Sequence, residues 1–95
     1  MAIRESALES MLVRKVKEHG GFALKWVSPG NAGVPDRIVI LPNGQTVYVE
    51  MKAPGKPLQP LQERWGRMLT TRNHRWYVLD SKEGIMDFIA KEFTE

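Results

Sequence analysis

The hydrophobic and polar positions change period several times along the chain, and each change marks an element. Residues 3–18 carry apolar side chains at Ile3, Leu8, Met11, Leu12 and Val16 with charges between them, the spacing of an amphipathic helix. Gly20-Gly21 supplies the left-handed conformations that end it. Phe22 to Val27 reads as a first strand, with Lys25 and Val27 on one face and Leu24 and Trp26 on the other. Two runs rich in β-branched and aromatic residues follow, Gly33 to Ile40 and Val47 to Lys52, joined by Pro42-Asn43-Gly44 as a turn. Leu58 to Thr71 predicts a second helix with Pro60 in its first turn and an apolar stripe of Leu61, Trp65, Met68 and Leu69. Gln62, Arg64 and Arg67 lie off that stripe. Arg75 to Leu79 gives a fourth strand, and Ser81 caps a last helix over residues 82–93 with Ile85, Phe88 and Ile89 inward. Helix, three strands, helix, strand, helix is an α/β order, and the crossover helix predicts a mixed sheet flanked by helices.

The hairpin carries the chemistry. With the three-residue loop 42–44, Leu41 faces Gln45, and counting outward sets Asp36 opposite Glu50, on one face and within reach of a common ligand. Lys52 is two residues beyond Glu50 and shares that face. A two-residue loop, Asn43-Gly44, would instead set Met51 opposite Asp36 and turn Glu50 to the other face, and a bulge after Pro35 would displace Asp36. The three-residue loop is the preferred register. Two carboxylates and an amine then converge at one end of the hairpin, a geometry suited to holding a divalent cation beside a phosphate.

Composition narrows the setting. Ninety-five residues make one domain, 1–95, near the lower limit for a core without staples. The chain has no cysteine, so disulfides and thiolate metal sites are out of reach. No apolar run is long enough to span a membrane and no signal-peptide core opens the sequence, so a soluble intracellular protein is expected. The net charge of +3 divides unevenly: residues 1–79 hold twelve Lys/Arg against six Asp/Glu, and residues 80–95 hold two against five. A basic body favours a polyanionic partner, although charge alone fits ordinary solubility equally well.

Pro35-Asp36, followed fourteen positions later by Glu50-Met51-Lys52, fits the PD…(D/E)xK pattern of metal-dependent nucleases. Asp36 and Glu50 offer hard oxygen ligands suited to Mg²⁺ or Mn²⁺, and the Met51 carbonyl can complete the coordination. Lys52 suits a role at the attacking water and at the charge that develops on the phosphate. An ExK alone more often marks a surface ion pair; its pairing with PD across a strand–turn–strand is much rarer. Glu9 borders the buried stripe of the first helix and can reach a site on the sheet, with Glu5 one turn away on the same side. The loop Ser28 to Gly33 is a candidate rim. Lys25, Lys56, Arg64, Arg67 and Arg72 are candidate phosphate contacts, each individually more often just solvated. His19 and His74 are isolated, and Trp26, Trp65 and Trp76 suit packing better than base stacking.

Nearly the whole chain resembles the VRR-NUC family (virus-type replication-repair nucleases) of the PD-(D/E)xK superfamily. The matching residues are Glu9, Gly20-Gly21, Lys25, Ser28-Pro29-Gly30, Gly33-Val34-Pro35-Asp36-Arg37, Val49 to Gly55, and Leu61-Gln62. The resemblance implies a restriction-endonuclease-like fold and a Mg²⁺- or Mn²⁺-dependent endonuclease acting on DNA, in DNA repair. Its active site would be Glu9, Asp36, Glu50 and Lys52 with Gln62 in support, the metal resting on Glu9, Asp36, Glu50 and Met51. It further implies a homodimer cutting branched DNA such as Holliday junctions, in the cytoplasm of a bacterium or phage-infected cell. Dimer contacts would come from the first helix with Gly20-Gly21, or from Ile85, Met86 and Ile89. The alternatives are a non-catalytic DNA-binding accessory module that keeps the fold, or a nuclease directed at RNA.

Overall fold

The computed structural model describes residues 3–93. Its elements are α1 (Glu5–Glu18), β1 (Phe22–Lys25), β2 (Arg37–Ile40), β3 (Thr46–Met51), α2 (Pro60–Thr70), β4 (Arg75–Leu79) and α3 (Lys82–Glu92), the order expected from the sequence. The end of α1 shows how the chain turns back. Gly20 sits at φ 87°, its N–H donates to the Lys17 carbonyl at 3.1 Å, and the Gly21 N–H donates to Val16 at 3.0 Å. That pair of bonds satisfies the last helical carbonyls and aims the chain into β1.

The sheet runs β1-β2-β3-β4. The first two pairings are antiparallel and β3–β4 is parallel, as a helical crossover requires. Side-chain alternation divides it into two faces. One presents Val39, Val47, Val49, Met51 and Leu79, which pack with Leu8, Leu12 and Val16 of α1 and Ile85, Phe88 and Ile89 of α3 in a single core. Ile85 and Ile89 are therefore spent inside the monomer and are not available as the dimer contacts the sequence offered; Met86 alone of that trio is exposed.

The opposite face carries Tyr48, Glu50 and Trp76, with α2 laid across it. Here α2 differs from the expected stripe. Leu69 is buried as expected and Trp65 and Met68 are half-buried, but Leu61 is 46% exposed, whereas Gly66, outside that stripe, is buried and Gln62 is half-buried. The inward line is thus Gln62, Gly66, Leu69, at steps of four and three. Packing against Trp76 explains the rotation: the Gly66 backbone lies directly against that indole ring, where no side chain fits. Gly66→Ala should therefore destabilise the protein by about 1–3 kcal/mol through overpacking, despite alanine's better helix propensity. A denaturant melt checks this, and an unchanged or raised midpoint would contradict it.

Candidate active site

The hairpin closes with the three-residue loop. Leu41 N–H donates to Gln45 at 2.8 Å and Gly44 N–H to Leu41 at 2.9 Å, and the ladder pairs Ile40 with Thr46 and Arg37 with Val49. One step further sets Asp36 opposite Glu50, on the α2 face, as the turn chemistry predicts. The edge partner extends one residue too, since Trp26 N–H donates to the Asp36 carbonyl at 2.9 Å.

Pro35 governs what happens next. The register brings it opposite Met51, whose backbone groups point toward β2, and proline has no N–H to give. The ladder breaks there. The Met51 N–H donates instead to Asp36 Oδ2 at 2.8 Å, and its carbonyl meets no donor from the proline. The break thus fixes the Asp36 carboxylate and leaves a backbone oxygen at the same end of the hairpin.

Glu50 is only 2% exposed, and its Oε1 is buried with no hydrogen-bond partner. Burial, then the neighbouring Asp36 charge, push its carboxyl up to about 8, against the opposing pull of Lys52. Asp36 is also raised, mainly by burial, with the Met51 N–H pulling it the other way. An isolated pair of buried carboxylates is costly, and a bound cation is one remedy. Lys52 Nζ donates to Gln62 Oε1 at 3.3 Å, and the same oxygen accepts the Gln59 N–H at 2.8 Å. The first turn of α2 thereby fixes the amide that holds the lysine.

The helix acids stand differently. Glu9 Oε2 accepts from Arg37 Nε at 2.7 Å, and the Arg37 guanidinium also donates to the Ala23 carbonyl at 3.2 Å. Glu9 is near enough for its charge to raise Asp36, and Glu5 does the same to Glu50. Among the described residues no three Asp, Glu or His side chains are gathered as ligands for one ion. Arg37, named only within the matching motif, is the residue to which sequence reasoning gave no role. Strand alternation carried the signal: it follows Asp36, so it must face α1, where Glu9 lies.

The outlying residues sort as follows. Lys25 is exposed at the end of β1 and its charge reaches Asp36. Lys56, Arg64, Arg67 and Arg72 are exposed on the next loop and on α2 with its end. The loop 28–33 docks on α2: Trp65 Nε1 donates to the Ala32 carbonyl at 3.1 Å, and Gly33, at φ 90°, rests against Leu61 too closely for any side chain. His19 bonds the Lys15 carbonyl at 2.8 Å and His74 packs on Tyr48. The tryptophans pack as well, Trp26 lying 5.5 Å from Tyr48 and 6.2 Å from Trp65 between ring centroids.

A four-stranded mixed sheet between helices, with a carboxylate pair and a lysine at the hairpin end, is a restriction-endonuclease-like architecture. The VRR-NUC domain model matches residues 4–83, and the chain belongs to the VRR-NUC family. It is 49% identical over 81 residues to "Putative nuclease p44" of Acyrthosiphon pisum secondary endosymbiont phage 1, covering 85% of this chain and 87% of that protein. A solved structure of a VRR-NUC domain superposes with a TM-score of 0.84 at 25% identity, covering 95% of this chain and 97% of the other.

Proposed function

We propose that this VRR-NUC domain is a Mg²⁺- or Mn²⁺-dependent endonuclease that hydrolyses phosphodiester bonds in DNA, acting as a homodimer on branched substrates such as four-way junctions. One observation carries the metal-dependent reading: the buried, partnerless Oε1 of Glu50 beside Asp36. A divalent ion would satisfy that oxygen and offset the burial and the neighbouring negative charge that raise the two carboxyls. Asp36, Glu50 and the Met51 carbonyl would hold it, a set of hard oxygens suited to Mg²⁺ or Mn²⁺. When bound, it would supply an acidified water and a Lewis acid at the phosphate.

The chain's own groups complete the reading. Lys52, held by Gln62, places a positive charge where the phosphate gains negative charge and can hydrogen-bond the attacking water. Lys25, Lys56, Arg64 and Arg67 offer the backbone a basic surface without sequence preference. The dimer draws support from β1, an edge strand with Phe22, Leu24 and the adjoining Val27 all exposed. Such an edge invites covering, and paired cuts need two sites at a fixed distance.

Glu9, whose charge reaches Asp36 while its Oε2 accepts from Arg37, would add a further carboxylate beside the ion. Glu9→Gln should then raise the metal concentration needed for half-maximal cleavage by about tenfold, with Glu5→Gln close to wild type. The reverse pattern in a metal titration would transfer the role to Glu5. The overall reading is tested with labelled linear, flap and four-way DNA in Mg²⁺, Mn²⁺ or EDTA. Metal-dependent cleavage of junctions supports it; metal-independent binding without cleavage points to the accessory module.

A further inference from the structure

A groove runs outside the carboxylate pair, along the exposed side of α1. It has a volume of about 590 Å³ and is lined by Ser6, Glu9, Ser10, Arg14, Lys17 and Arg37, with Val13 as its apolar member. The helical positions 6, 10, 14 and 17 follow steps of four, four and three, so they form one continuous stripe. Eleven residues of helix at about 1.5 Å each make that stripe roughly 16 Å long. Its single acid, Glu9, is neutralised by Arg37 at 2.7 Å. Lys17 pairs with no carboxylate among the described residues, and the contact of Arg14 with Glu18 is long, 3.9 Å, between side chains 62% and 48% exposed. So open a pair holds its partner weakly. What remains is a groove with two available cations, two hydroxyl donors, the apolar side chain of Val13 and no unpaired acid.

We propose that this groove is a docking track for the DNA phosphate backbone, with Arg14 and Lys17 contacting phosphates and the Glu9–Arg37 pair marking where the track meets the catalytic carboxylates. This rests on the nuclease reading above. The chemistry favours a polyanion: Arg14 and Lys17 stand at one end of the groove and the hydroxyls of Ser6 and Ser10 at the other, with the apolar side chain of Val13 between them. At about 3.4 Å of rise per nucleotide, a 16 Å stripe matches four to five nucleotides of one strand. Glu9, at the near end, is close enough to act on Asp36 electrostatically, so a strand lying in the groove is led toward the reacting site.

The test is salt-dependent binding of a labelled four-way junction, without divalent metal, by the full chain and by Arg14→Ala/Lys17→Ala. Lys82→Ala/Lys91→Ala on α3 serves as a charge-matched comparison. Both pairs are exposed, and thermal melting verifies folding. The groove variant should bind at least tenfold more weakly at moderate salt, with a log–log salt slope smaller by about two, since each lost phosphate contact removes about one. The α3 variant should keep the wild-type slope. Equal losses in both variants, or an unchanged slope in the groove variant, would overturn the track while leaving the nuclease reading in place. Failure of the unaltered protein to bind DNA would overturn both.

Discussion

Glu50→Gln should abolish cleavage and at the same time stabilise the metal-free protein. The two effects have one origin. Glu50 is enclosed beside Asp36 with one oxygen unpartnered, and its carboxyl is pushed up to about 8, far above the ordinary carboxylate range. A carboxyl raised on folding binds its proton more tightly in the native than in the unfolded state. Between about 4.5 and about 8 the native state therefore carries more protons, and stability falls as pH rises through that window. Asp36 is raised as well and acts in the same direction. At about 1.4 kcal/mol per pH unit, the cost reaches a few kcal/mol by pH 8. Glutamine has the same shape and no charge, so it should remove most of that slope. Denaturant melts of the metal-free protein from pH 5 to pH 8 measure this: the wild type should lose stability across the range and Glu50→Gln should stay nearly level. A parallel decline in both would mean that Glu50 is not the source.

Lys52→Ala should reduce cleavage roughly a hundredfold to a thousandfold while changing DNA affinity less than about threefold. One amine among many basic groups adds little to an affinity built from phosphate contacts, yet this one is held by Gln62 Oε1 at 3.3 Å beside the carboxylate pair. Lys52→Arg should fail similarly, since a planar fork does not substitute for a compact ammonium. Single-turnover cleavage alongside equilibrium binding separates the two quantities. Near-normal cleavage by Lys52→Ala would make the amine a structural counter-charge to Glu50 only.

Much of this arrangement was legible because short-range rules determine it. Pro42-Asn43-Gly44 sets the loop, the loop sets the register, and the register sets Asp36 opposite Glu50. Ser81 was recognisable as a cap, and its Oγ accepts the Gly84 N–H at 2.9 Å. The facing of α2 was not legible. Counting apolar residues selects Leu61, which is exposed, whereas the observed face is chosen by a glycine that lets Trp76 approach, a contact between residues ten apart with the end of α2 and a turn between them. The expected first strand, drawn to Val27, stops at Lys25, with a single further bond from the Trp26 N–H to the Asp36 carbonyl. At the site, residue types and spacing gave the carboxylates and the lysine, but not the engagement of Glu9 by Arg37. That contact depends on how α1 crosses the sheet, which no local pattern encodes.

The central claim, that Glu50 and Asp36 form a seat for a divalent ion, is tested most directly by calorimetric titration of Mn²⁺ into the metal-free protein at pH 7. Runs in two buffers of different ionisation enthalpy count the protons released. With Glu50 at about 8, binding should be saturable and should expel close to one proton, because the ion takes the place of the proton that the buried carboxyl holds. Glu50→Gln should show neither the binding nor the release. Equal Mn²⁺ binding by Glu50→Gln and the wild type would contradict the account.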